Sequence, residues 1–254
     1  MTIFDIVDTI LPERISGIVT SADAGVPSGI TMSRTRSALL RLAVVACSLG
    51  TVCVALPIDM PKLRAAYQRA QASAPQERFA DWQSMLGSAR GRGASELLSR
   101  VNSFFNRQIR FVDDIDLWGQ SDYWATPMET LARGAGDCED FAIAKYYTLI
   151  AMGIPVEQLR LTYVRARLSA PGGPAFQAHM VLAYYPSPSA EPLVLDNLVD
   201  AIAPASKRPD LLPVFNFNGQ GIYQAGATGA ATSAVGNLSR WADAMQRIRA
   251  EGFD

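Results

Sequence analysis

Residues 138–152 decide most of what this chain can fold into. From Cys138 to Met152 there is one basic residue, Lys145, while Ala142, Tyr146, Leu149 and Ile150 recur on one side at helical spacing. Gly153 and Pro155 stop the pattern in the order expected at a helix C-terminus. Ahead of it, Gly134 and Gly136 permit a tight turn, and Asp137 is a residue type suited to the N-cap, where its carboxylate can accept from first-turn amides. A helix this apolar has no full face to give to water, so the pattern predicts a helix through the centre of a domain with only its N-terminus at a cleft. That N-terminus carries Cys138.

A thiol attacks as the thiolate, and a helix N-terminus or a nearby imidazole lowers its pKa into the working range. The first amides of the helix, that of Cys138 included, can also stabilise an oxyanion. His179 is the only histidine in the chain. Phe176 to Tyr185 alternates and is rich in Val, Leu, Tyr and Ala, which predicts a strand; Pro186-Ser187-Pro188-Ser189 reads as a turn, and Leu193 to Leu195 as the return strand. A symmetric hairpin centred between Ser187 and Pro188 sets His179 opposite Asp196, where a carboxylate can hold the ring in one tautomer. Asn197 is the alternative orienter if the register differs. Taken singly, Cys138 reads equally as a core cysteine, and His179 as a strand histidine satisfied by a local carboxylate.

The N-terminal region reads as an export signal. Arg34, Arg36 and Arg41 form a basic stretch, Leu42 to Leu56 run apolar, and Cys53-Val54-Ala55 offers a small-x-Ala cleavage site. The apolar run, roughly 15 residues, falls short of the ~20 that span a bilayer; a buried helix of the fold is the alternative. Residues 1–31 are too long a lead for such a signal, which makes Met32 the expected start, residues 32–55 the signal peptide and 56–254 the mature domain. Cleavage there removes Cys47 and Cys53 and leaves Cys138 as a lone thiol in a compartment that favours disulfides. Roughly 200 residues then remain, enough for one domain with a sizeable core. The net charge of -1 gives no electrostatic footprint for nucleic acid.

In the mature chain helices come first and strands second, an α+β organisation. Pro61 to Ala72, Asp81 to Arg90 and Ser95 to Gln108 are predicted helical, residues 109–127 form a connection containing Asp113, Asp114, Trp118 and Asp122, and Pro127 opens a short helix ending near Gly134. Residues 226–234 have a linker composition. A last helix sets Trp241, Ala244, Met245 and Ile248 on a docking face and Arg240, Asp243, Arg247 and Glu251 on a solvated one. Trp82, Trp118, Trp124 and Trp241 read as packing residues.

Four motifs carry a resemblance: Asp122-Tyr123-Trp124-Ala125-Thr126-Pro127, Gly136-Asp137-Cys138-Glu139-Asp140-Phe141-Ala142, Ala178-His179-Met180-Val181-Leu182 and Leu195-Asp196-Asn197. Together they resemble the bacterial transglutaminase-like cysteine proteinases over most of residues 60–250. The resemblance implies a papain/transglutaminase-like fold, N-terminal helices with the Cys-bearing helix packed on an antiparallel sheet. It implies Cys138 as nucleophile, His179 as general base and then acid, and Asp196 as orienter. It also implies a periplasmic endopeptidase that cuts the N-terminal region of a large surface adhesin, so promoting biofilm dispersal, under control of an inner-membrane cyclic-di-GMP receptor. Calcium near the nucleophile is implied too, with Asp137, Glu139 and Asp140 as the candidate ligands. The bland reading of those acids is complementarity to the helix dipole, and consecutive helical positions splay by ~100°, so one ion would need ligands from another loop. A transferase of the same architecture and a non-catalytic binding module are the other function classes.

Overall fold

In a computed structural model of the chain, residues 57–170, 173–224 and 238–253 are described, and they belong to one compact unit. The signal-like segment, Cys47 and Cys53, and the linker composition at 226–234 lie outside the described residues. Three helices lead: α1 (Met60–Ala70), α2 (Gln76–Gly87) and α3 (Ala94–Gln108). Two-residue β1 (Arg110–Phe111) and α4 (Asp114–Trp118) follow, then α5 (Pro127–Arg133), β2 (Ala135–Gly136) and the predicted central helix α6 (Cys138–Ala151). The strands are β3 (Leu159–Ala170), β4 (Gly173–Tyr184), β5 (Leu193–Leu195), β6 (Ala203–Pro204), β7 (Leu211–Phe217) and β8 (Ile222–Gln224), and α7 (Ser239–Glu251) closes the fold. The predicted α+β class stands. Segment 109–127, expected to be a plain connection, instead holds β1 and α4, and β1 pairs in parallel with β2 beside the Cys138 turn.

The six long-range strands form one antiparallel sheet in the order β6-β5-β4-β3-β7-β8. One face meets the helices through aromatic rings: Phe217 packs edge-on against Trp241 at 5.4 Å and stacks with Trp124 at 5.7 Å, while Tyr146 of α6 meets Trp241 at 5.9 Å. Rings in these offset and edge arrangements add to their burial. From Phe141 to Ile150 every residue of α6 is buried, Lys145 included, as its composition demanded. The other face carries Val164, Ala166, Val181, Val194 and Leu211, a small buried cluster beside a cavity of about 470 Å³.

Trp241, Ala244, Met245 and Ile248 are buried as predicted, but the opposite side of α7 is not simply solvated. Arg247 bridges to Glu129 at 2.8 Å and donates to the Trp124 carbonyl at 2.6 Å, Arg240 pairs with Asp122 at 3.0 Å, and Glu251 accepts from the Thr126 hydroxyl at 2.8 Å. Those charges pin the segment ahead of α5 rather than face water. Beyond α7, Phe253 forms an isolated antiparallel bridge with Ile58, and the Asp59 amide donates to the Gly252 carbonyl at 2.8 Å.

Candidate active site

Two turns build the N-terminus of α6. Thr126 caps α5 with a full capping box to Glu129, and Gly134 ends it in the left-handed region at φ 62°. Gly136 then passes so close to α6 that a Cβ there would sit 2.7 Å from both Cβ and Oδ2 of Asp140. Only glycine allows this approach, and it brings Asp140 Oδ1 onto the Ala125 amide at 2.7 Å. Asp137 occupies the N-cap position as predicted, yet its side chain makes no capping bond and its Oδ1 has no partner. The neighbouring carboxylates explain why: Asp137 is turned into an acidic cluster instead of back over the helix.

That cluster is larger than the sequence suggested. Carboxylate oxygens of Asp114, Asp137 and Asp140 lie within 4.8 Å of one another, as do those of Asp114, Asp122 and Glu139, and those of Asp137 and Glu139 with the Cys138 sulfur. Asp114 and Asp122 come from the 109–127 segment, which sequence reasoning passed over; its Asp113-Asp114 pair and Asp122 were the available signal. Burial pushes Asp114 up to about 6, and burial with mutual repulsion raises Asp137, Glu139 and Asp140 as well. Asp114 Oδ1, Asp137 Oδ1 and Asp140 Oδ2 are buried without a hydrogen-bond partner. Orphaned, crowded oxygens of this kind fit a hard divalent cation, which prefers several carboxylates as ligands.

Cys138 keeps part of its side chain exposed. Its thiol donates to Glu139 Oε2 at 3.0 Å and accepts from the backbone amide of Met180, the residue after His179. Burial, then the Glu139 and Asp137 carboxylates, push the thiol well above its ordinary value, the opposite of the lowering expected from a helix N-terminus. Burial comes first in this, and the acids add to it.

His179 and Asp196 do meet. His179 Nε2 lies 2.8 Å from Asp196 Oδ1, and both side chains are almost wholly buried. The register differs from the symmetric hairpin: Leu182 pairs with Leu195 and Ala183 with Val194, so Asp196 falls on the diagonal from His179 rather than directly opposite. The turn is displaced by one residue, which shifts pairing by two, and a two-residue slip keeps every side chain on its own face. Both groups therefore share the face of the valine cluster, and a diagonal neighbour remains within reach of an imidazole. Burial alone would raise Asp196; the His179 hydrogen bond and charge, the Leu198 amide and Arg208 hold it at about 2. An ionised carboxylate can only accept, so Nε2 carries the proton and Nδ1 is the free nitrogen. Asn197, the alternative orienter, does not hold the ring: its Oδ1 is buried without a partner.

The sequence profile described as "bacterial transglutaminase-like cysteine proteinase BTLCP" matches residues 71–209. The chain belongs to that family. Among solved structures, Legionella pneumophila LapG is similar at 38% identity and a TM-score of 0.62, covering 76% of this chain and 99% of that one. Its calcium-bound form is 41% identical with a TM-score of 0.64, covering 75% and 99%, and an EGTA-treated form is 38% identical with a TM-score of 0.63, covering 76% and 99%. None of the curated proteins searched matches. As a transglutaminase-like cysteine proteinase, the chain has the α+β architecture its motifs implied. Among the described residues no helix is long and apolar enough to cross a membrane.

Proposed function

We propose that this proteinase works through Cys138, His179 and Asp196, as an endopeptidase exported to the periplasm. The observation that carries the reading is the buried 2.8 Å contact between His179 Nε2 and Asp196 Oδ1, one residue along the chain from the Met180 amide that touches the Cys138 sulfur. With Nε2–H given to Asp196, His179 Nδ1 would take the thiol proton as the sulfur attacks the scissile carbonyl, after a side-chain movement that brings the ring to the sulfur. It then returns that proton to the departing amine, and water hydrolyses the acyl-enzyme. The Cys138 amide, at the start of α6, supplies an oxyanion donor.

Asp114, Asp122, Asp137, Glu139 and Asp140 would hold calcium. Bound calcium would neutralise carboxylates that otherwise repel one another and would order the turn presenting Cys138. Asp137, Glu139 and Asp140, the ligands read from sequence, join two acids from the preceding segment in this role. The substrate is the N-terminal region of a large surface adhesin, whose release promotes biofilm dispersal, and an inner-membrane cyclic-di-GMP receptor controls access to the protease; the family resemblance of the motifs supports both.

The test is incubation of the protein with adhesin fragments encoded in the same genome, comparing wild type, Cys138→Ala, and wild type with EGTA. Discrete cleavage by wild type alone supports the reading. Cleavage by Cys138→Ala refutes the thiol mechanism, and activity untouched by EGTA refutes the calcium role. Adding a primary amine separates hydrolysis from acyl transfer.

A further inference from the structure

Asp196 is gripped from a direction the sequence did not announce. Arg208, which follows a single turn of 3₁₀ helix at Ala205–Lys207, is 7% exposed. Its Nη2 donates to Asp196 Oδ2 at 2.7 Å while His179 and the Leu198 amide, at 2.8 and 3.0 Å, occupy Oδ1. Both oxygens of the carboxylate are therefore held and its plane is fixed. Arg208 is itself squared by Asp210, which takes Nε at 3.1 Å and Nη2 at 2.8 Å in the fork geometry that suits a guanidinium. Asp210 is 40% exposed at its side chain and Asp196 wholly enclosed, so the chain of contacts runs inward from the surface: Asp210, Arg208, Asp196, His179.

A buried carboxylate facing only one imidazole has a free oxygen and a rotatable plane. Rotation would release Nε2 and let the ring exchange tautomers, and a misplacement near 1 Å at the reacting groups can cost about 10²-fold in rate. From this geometry we infer that Arg208 is a positioning residue of the catalytic apparatus, locked by Asp210, that fixes the Asp196 carboxylate and through it the His179 tautomer. The inference rests on the triad reading above. Arg208 also lines the cavity of about 470 Å³ on the valine face of the sheet, beside Val164, Val181, Val194 and Leu211. A small guanidinium ion therefore has a route to the place its side chain vacates.

The full-length protein, free of any histidine tag, gives a single imidazole signal, because His179 is the only histidine. Arg208→Gln, Arg208→Lys, Asp210→Asn and Asp196→Asn are compared with wild type by imidazole ¹⁵N shifts and by kcat and KM on whichever adhesin fragment wild type cleaves. Wild type is expected to show one tautomer, protonated at Nε2. Arg208→Gln should mix the tautomers and lower kcat by about 10²-fold with KM little changed. Millimolar guanidinium should restore part of that kcat, Arg208→Lys should be intermediate, and Asp210→Asn should move both readouts the same way by less. Wild-type kcat and a single tautomer in Arg208→Gln overturn the inference. If Arg208→Gln does not fold, Asp210→Asn decides, its carboxylate being half in water: wild-type shifts and kcat there overturn it. Full activity in Asp196→Asn would instead sink the triad reading itself.

Discussion

Lys145 offers a measurement of how costly the centre of this fold is for charge. It sits two turns along α6 from Cys138, 1% exposed, with Nζ donating to Asn102 Oδ1 at 2.7 Å and to the Asp196 carbonyl at 3.2 Å. Burial lowers its pKa from 10.5 to about 7, against the opposing pull of the Asp196 and Asp200 charges. At about 1.4 kcal/mol per tenfold change, that drop is worth on the order of 5 kcal/mol. Below about pH 7 both folded and unfolded chains hold the proton, and the whole cost of the buried cation is present. Between about 7 and 10.5 the unfolded chain binds a proton the folded chain has released, so stability rises with pH. Lys145→Met keeps the length and removes the charge, so it should be insensitive to this window. Its absolute stability also reflects two acceptors that lose a donor, each worth about 1–3 kcal/mol, so the slope is the informative quantity. Urea unfolding followed by tryptophan fluorescence should show wild type gaining on Lys145→Met by about 2–3 kcal/mol from pH 7 to pH 9. Curves that stay parallel within about 0.5 kcal/mol, the usual scatter of a surface substitution, would refute the argument.

Asp196→Asn should cut kcat by about 10⁴-fold through the wrong imidazole tautomer, with KM nearly unchanged in steady-state assays. The same carboxylate, held at about 2 against an ordinary 3.8, contributes about 2 kcal/mol that is present above pH 4 and lost as pH falls through 2; acid unfolding of Asp196→Asn should lack that component. Calcium at about a hundredfold excess over its Kd should stabilise the fold by about 2.7 kcal/mol, and EGTA should reverse a Tm rise of roughly 5–10 °C in calorimetry. Asp114→Asn should shrink that rise if the 109–127 segment supplies ligands. Gly136→Ala forces a methyl onto Asp140 and should lose about 1–3 kcal/mol in denaturant titrations.

The central helix was legible because it is bounded by residues with one strong conformational meaning each, Gly134 and Gly136 before it and Gly153 and Pro155 after it. The meeting of His179 and Asp196 was legible for a subtler reason: strand period is two, so a register wrong by two residues still kept both on one face. Face survives such an error where pairing does not. The acidic cluster was half legible, since Glu139 and Asp140 adjoin Cys138 in sequence while Asp114 and Asp122 arrive by the pairing of β1 with β2. Nothing local marks that pairing. Arg208 was invisible for the same reason, as an arginine in a polar turn looks solvated until the fold turns it inward. The thiol went the other way: its helix N-terminus was correctly foreseen, but not the burial that, with the neighbouring acids, raises it.

The bridge between Ile58 and Phe253 has a consequence for how the domain reaches its working form. The seam joins the first described residues to the last, and Phe253 packs against Tyr147 of α6 at 5.4 Å and Trp82 of α2 at 6.2 Å. Synthesis from the N-terminus delivers the Cys138 helix long before the segment that buckles it shut. Until residues 239–253 emerge, the rings around Trp241 stay open to water and the Arg247 clasp on Glu129 is missing. A proteinase built this way closes its core only once its tail has been made.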